Sequence, residues 1–170
     1  MEMTIRKALI CELDIAFNLL KEAAQWLKDK EIDYWQNWHN PSDLYQNWIK
    51  DGFENSQFYY IECNKSVIGM YRLQFEDEMF WGKNNDKSAY IHSFTIKRNL
   101  SGKGIGKEIL RMIEQQLKMQ DINILRLDCG ANINGLCKYY ENYGFKCIGQ
   151  KKIHGETLNL YEKQLPSSIA

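Results

Sequence analysis

The sequence predicts one α+β domain built around a central sheet of about seven strands. Three observations carry this reading. Apolar residues alternate with a period of two in short runs, and they recur at helical spacing in four longer ones. The two kinds of run interleave as one strand, two helices, three strands, a helix, a strand, a helix and two strands, an order that places helices on a shared sheet. The length of 170 residues suits a single domain over 1–170, with a frayed tail expected after about residue 165.

The elements follow in chain order. Residues 3–9 alternate loosely as a first strand. Over 13–28, Ile15, Ala16, Leu19, Leu20, Ala23, Trp26 and Leu27 form the stripe of an amphipathic helix. Residues 31–40 are a loop crowded with Tyr34, Trp35, Trp38 and His39. A second helix is expected to start at Pro41 with Asn40 as its cap, to present Leu44, Tyr45, Trp48 and Ile49 on one face, and to end at Gly52. Residues 57–63 and 66–75 are rich in aromatic and β-branched side chains, and Asn64-Lys65 between them marks a hairpin. Residues 76–87 are polar and read as a solvated loop, and 88–96 read as a further strand. A long helix over 104–119 lines up Ile105, Ile109, Met112, Ile113 and Leu117. Residues 124–129 alternate as a strand, and 136–143 form a short helix stopped by Gly144. The last two strands, 145–152 and 157–164, turn near His154-Gly155.

Composition excludes several classes. At 44% hydrophobic and 26% charged, the chain is neither disordered nor membrane-embedded, and no apolar run approaches the roughly 20 residues of a spanning helix. The first residues lack the apolar stretch of a signal peptide, so a cytoplasmic location is expected. Lysine plus arginine equals aspartate plus glutamate at 22 each, which argues against a nucleic-acid partner. The five cysteines are odd in number and none shows CxxC spacing, so neither a disulfide framework nor a metal site is expected.

The first candidate for chemistry is Ser101-Gly102-Lys103-Gly104-Ile105-Gly106, between a strand and a helix. Glycines let the backbone turn tightly and approach a ligand without a Cβ in the way. The first amides of the following helix lack internal partners, and the helix dipole adds positive potential there, which together suit phosphate. Two phosphate-binding motifs are excluded: no Gly-Lys-Ser/Thr is present for a Walker A loop, and Lys107 stands where the dinucleotide fingerprint needs glycine. On spacing alone, a flexible loop capping a helix remains open.

This strand, glycine turn and helix resemble the acetyl-CoA pyrophosphate motif of the GNAT superfamily of N-acetyltransferases. The pattern Gln/Arg-x-x-Gly-x-Gly/Ala falls on residues 101–106 and is matched by Gly104 and Gly106, while Ser101 replaces the usual Gln or Arg and Arg98 lies three residues earlier. A second segment, from Leu136 to Phe145, resembles the family's late helix, with Tyr140 four residues before Gly144-Phe145. The usual asparagine at the start of that helix falls on Ile133, between Asn132 and Asn134. The resemblance covers almost the whole chain. It implies a GNAT-like mixed, largely antiparallel sheet of about seven strands flanked by helices, with a splayed cofactor cleft.

The resemblance also implies an acetyl-CoA-dependent N-acetyltransferase that needs no metal. The backbone of Phe94, Thr95 and Ile96 would pair with the pantetheine arm, and one N–H there would polarise the thioester carbonyl. Ser101, Gly102, Lys103, Gly104, Ile105 and Gly106 would hold the pyrophosphate, with Asn132 or Asn134 as further contacts. Tyr140 would be the acid for the departing thiolate, since a phenol with a pKa of about 10 is protonated at neutral pH. On helical periodicity alone Tyr140 reads as a packed aromatic like Tyr139 and Tyr143, and it is the family position that turns the reading to the acid. His92, on the strand before the turn, shares a face with Phe94 by alternation and is a candidate base, although a strand histidine also serves structure. Glu76, Asp77 and Glu78 are rivals for that role within the loop.

The loop residues Tyr34, Trp35, Trp38 and His39, and later Phe80 and Trp81, either line an acceptor pocket or cover the core. The expected acceptor is a primary amine of a small molecule. A catalytically silent acyl-CoA-binding module and a protein or N-terminal acetyltransferase are the alternatives, and the family admits a homodimer.

Overall fold

The computed structural model describes residues 2–166, so the expected frayed tail lies mostly outside the described residues. Among the described residues seven strands are present: β1 (Met3–Lys7), β2 (Phe58–Cys63), β3 (Ser66–Gln74), β4 (Ser88–Ile96), β5 (Ile124–Gly130), β6 (Lys146–Ile153) and β7 (Glu156–Gln164). Five α-helices join them: α1 (Leu13–Asp29), α2 (Asp43–Glu54), the four-residue α3 (Glu78–Trp81), α4 (Ile105–Met119) and α5 (Asn134–Tyr143). The strands make one sheet in the order β1-β2-β3-β4-β5-β7-β6. β1–β2, β2–β3, β5–β7 and β6–β7 pair antiparallel, and β4–β5 pairs parallel. This is the mixed, largely antiparallel sheet that the family resemblance implies. No helix of the described residues is long and apolar enough to cross a membrane.

The chain packs as two compact units. One holds the residues up to Leu73 together with Ser93–Ile105, and the other holds Gln74–His92 and the chain from Gly106 onward.

In the first unit, α1 and α2 bury their apolar stripes against the strands. Ala16, Leu19, Leu20 and Ala24 of α1 and Ile49 and Phe53 of α2 share one core with Phe58, Tyr60 and Met70. The β2–β3 hairpin turns at Asn64 and Lys65, both with positive φ (49° and 63°), as a two-residue turn matching the strand twist requires. α2 departs from expectation at both ends. It starts at Asp43 after Ser42 and runs through Gly52 to Glu54. Gly52 therefore does not end the helix. A Cβ there would stand 2.5 Å from the Phe58 ring, so the glycine serves close packing of helix on strand. Next to it Arg72 is buried, with its guanidinium 4.3 Å from the Trp48 ring centre, and it donates to Gln57 Oε1 and the Trp48 carbonyl. A buried cation needs such partners.

In the second unit, β5 pairs with β7 from Ile124↔Gln164 to Gly130↔Leu158. The β6–β7 hairpin turns at His154 and Gly155, where φ is again positive (48° and 86°). Ile109, Leu110, Ile113 and Leu117 are the buried face of α4. The parallel ladder runs only from Ser88↔Ile124 to Ile91↔Leu127, while β4 continues to Ile96 and β5 to Gly130. Beyond the ladder, Ser93 of β4 has φ of 51°. A left-handed residue inside a strand re-aims the side chains that follow, as in a bulge. The simple alternation expected to place His92 and Phe94 on one face is therefore interrupted between them.

Candidate active site

The glycine turn lies where β4 ends. After Ile96 the chain makes a short 3-10 turn, Arg98–Leu100, and reaches α4 at Ile105. Gly102 and Gly104 both have positive φ (77° and 76°), which explains glycine at these positions. No atom stands within 4 Å of the Cβ either would carry, so the turn's backbone is open on that side. Ser101, Lys103 and both glycines are exposed, whereas Ile105 is buried and anchors the start of the helix. Thr95 is buried, while Phe94 and Ile96 are half-buried. Arg98, the nearest arginine to Ser101, is committed to α1: its backbone N–H donates to Glu22 Oε1 at 2.9 Å, and its guanidinium lies 5.0 Å from the Trp26 ring centre.

A second constellation surrounds His92. The imidazole is buried, with Nε2 2.8 Å from Asp77 Oδ2 and Nδ1 3.3 Å from Asp128 Oδ2. Asp77 is also the N-cap of α3, and its Oδ1 accepts the Phe80 N–H at 3.3 Å. The Phe80 ring covers the imidazole at 4.8 Å between centres. This corrects the expectation of a wholly solvated loop over 76–87: Glu76 and Glu78 are exposed, but Asp77 is only 8% exposed. Burial raises the Asp128 carboxyl to about 6, with the Asp77 charge acting the same way and His92 opposing it.

Tyr140 sits on α5, where its ring is 6% exposed and packs edge-on against Tyr139 and Phe145. Gly144 ends this helix with φ of 103°. Ile133 is its N-cap, with Asn132 and Asn134 exposed on either side. Cys137, one turn before Tyr140, lies 3.8 Å from Cys129 of β5, sulfur to sulfur, as a reduced contact.

Trp38 belongs to the core, packed edge-on with Tyr45, as the core-covering reading expects. Its edge also helps line an open groove of about 260 Å³ with His39, Phe17, Pro41 and Gln46.

A sequence model of the acetyltransferase (GNAT) family matches residues 20–145, a span that holds the glycine turn, His92, Asp128 and Tyr140. The chain belongs to the GNAT acetyltransferase family. It is 23% identical over 152 residues to the uncharacterized N-acetyltransferase YesJ of Bacillus subtilis (strain 168), which covers 86% of this chain and 82% of that one. Its fold is similar to that of a GNAT-family acetyltransferase from Listeria monocytogenes 4b F2365, with a TM-score of 0.77, 24% identity and coverage of 97% and 96%. It is also similar to the PaiA N-acetyltransferase of Thermoplasma acidophilum, solved in complex with coenzyme A, with a TM-score of 0.62, 23% identity and coverage of 96% and 99%.

For a GNAT protein the open turn is the informative feature. The left-handed glycines leave the backbone open where α4 begins, and a helix start offers N–H donors that suit a diphosphate. Two residues of the His92 constellation, Asp77 and Asp128, escape sequence reasoning as partners. Asp77 could have been suspected as a helix cap. Asp128 could have been suspected as a carboxylate on an inner strand, whose faces are normally covered.

Proposed function

We propose that this protein is an acetyl-CoA-dependent N-acetyltransferase acting on a primary amine of a small molecule. The observation that carries the reading is the turn over residues 101–106, whose backbone lies open at Gly102 and Gly104 within the segment that the GNAT family matches. Ser101, Gly102, Lys103, Gly104, Ile105 and Gly106 hold the pyrophosphate of coenzyme A. The backbone of Phe94, Thr95 and Ile96 holds the pantetheine arm, and Asn132 and Asn134 add contacts. Bound acetyl-CoA supplies an activated thioester.

The chain's own residues manage protons and position. Tyr140 donates its phenolic proton to the departing sulfur, and the packing of its ring fixes where the hydroxyl oxygen sits. The base is the constellation centred on His92, which is buried and held from two sides.

Calorimetric titration with acetyl-CoA, followed by detection of free coenzyme A thiol across a panel of primary amines, tests the reading. Binding followed by thiol release with at least one amine is expected. Binding without release for any amine would replace it with a silent acyl-CoA-binding module.

A further inference from the structure

Arg126 of β5 is a buried charge that the proposed reaction does not use. In the parallel ladder it stands opposite Tyr90, two residues before His92 on β4, and Asp128 follows it by two residues on β5. Strand alternation therefore places Arg126 on the face of the sheet that carries His92. Its Nη1 and Nη2 donate to the two oxygens of Asp86 at 3.0 and 2.7 Å, a forked pair, and its Nε donates to Glu162 Oε2 at 2.9 Å. Nη1 also reaches Ser88 Oγ and the Tyr90 hydroxyl, each at 3.0 Å. The Trp81 ring centre lies 5.0 Å from the guanidinium, and the indole N–H is buried and donates no hydrogen bond. The ring is thus oriented by Arg126 and by Tyr90, 5.8 Å away between centres.

The segment from Asp77 to Asp86 is fastened at two points. Asp77 and Phe80 lie on His92, at 2.8 Å and with ring centres 4.8 Å apart, while Trp81 and Asp86 lie on Arg126. Lys151 of β6 adds one hydrogen bond, to the Met79 carbonyl. Burying a guanidinium is costly, and apolar packing of similar volume commonly stabilises a fold as well. What the charge adds is direction, because a forked pair and a ring contact fix where the segment sits. We propose that Arg126 is a positioning residue: through Trp81 and Asp86 it holds α3 so that Asp77 and Phe80 meet the imidazole of His92. The catalytic consequence rests on the transferase reading, and the geometry rests on the contacts themselves. The proposal holds for either charge state of His92.

Three readings test this. Proton NMR follows the nuclear Overhauser contacts between the Phe80 and His92 rings, amide exchange follows the Trp81 and Gly82 N–H groups that close α3, and steady-state kinetics gives kcat. Arg126→Met should weaken the ring contacts, speed that exchange about tenfold and lower kcat on the order of tenfold, with acetyl-CoA affinity unchanged. Trp81→Ala and Asp86→Ala leave Arg126 paired with Glu162 and should do the same, which keeps the test open should Arg126→Met fail to fold. Trp81→Phe keeps a ring over the guanidinium and gives up an N–H that has no partner, so it should behave as wild type. Lys83→Ala, in the same segment but on an exposed pair with Glu78, should leave all three readings unchanged. Ring contacts kept in both alanine variants at Trp81 and Asp86, or lost equally in Lys83→Ala, overturn the proposal while the transferase reading stands. So does a freed α3 with kcat unchanged. A wild type that binds acetyl-CoA and acetylates no amine overturns the transferase reading; the catalytic consequence falls with it, and the ring contacts alone then decide the geometry.

Discussion

Asp77 Oδ2 lies 2.8 Å from His92 Nε2, while the other oxygen of the same carboxylate caps α3 through the Phe80 N–H. One side chain thus starts a four-residue helix and aims an imidazole. Asp77→Ala should therefore act on both. Loss of the cap and of a buried hydrogen bond is expected to cost about 1–3 kcal/mol in urea unfolding. It should also lower kcat about tenfold or more by freeing the ring, with the acetyl-CoA dissociation constant unmoved by calorimetry.

Asp128 makes a stability prediction with a definite sign. Its carboxyl is raised from 3.8 to about 6, so the folded state binds more protons than the unfolded state between those values. Its contribution is least unfavourable below pH 4, and stability is lost as pH rises toward and past 6. Asp128→Asn removes that cost. The variant should gain on wild type as pH rises from 4 to 8, by up to about 2–3 kcal/mol. Thermal melts across that range check it, and a constant difference would contradict it.

Tyr140→Phe retains the buried ring and removes only the hydroxyl. Turnover should fall on the order of 100-fold, with acetyl-CoA affinity nearly unchanged and the melting temperature close to wild type. Steady-state kinetics and calorimetry on one preparation decide it, and full activity would remove Tyr140 as the acid.

Gly104→Ala places a methyl group on a backbone with φ of 76° that faces open space. The fold should lose only about 1–2 kcal/mol of left-handed strain. The acetyl-CoA dissociation constant should rise by tenfold or more, because a Cβ then stands where the diphosphate approaches. Affinity that fell no further than stability would point away from the turn as the phosphate site.

Gly52→Ala tests packing rather than chemistry. Alanine favours a helix over glycine by about 1 kcal/mol, but here its Cβ would press within 3 Å of the Phe58 ring and Arg72 Nε. Overpacking of this kind typically costs about 1–3 kcal/mol, so denaturant unfolding should show a net loss.

The period of the apolar residues made the seven strands and four of the five helices readable, because side chains in one layer report directly on the face they bury. Gly52 misled because glycine carries two meanings, helix end and close approach, and only the Phe58 ring distinguishes them. Residues 76–87 misled because polarity there averages exposed Glu76 and Glu78 with buried Asp77. For the candidate site, the glycine turn was legible because its left-handed backbone at Gly102 and Gly104 is something the residue type encodes. The neighbours of His92 were not, because Asp77 reaches it across a loop and Asp128 from another strand. Ser93 carries no local sign of its positive φ, since serine does not announce a left-handed bend.

The two-residue turns at Asn64-Lys65 and His154-Gly155 bear on the order in which the molecule assembles. Hairpins closed over so few residues lose little loop entropy, so β2–β3 and β6–β7 can zip early. The parallel ladder joining Ser88–Ile91 to Ile124–Leu127 must wait until α4 has formed and the chain has crossed back. His92 and the glycine turn border that late crossover. The residues proposed for the chemistry are then among the last to be secured in folding, and a coenzyme bound at the turn would also act as the final fastening of the chain.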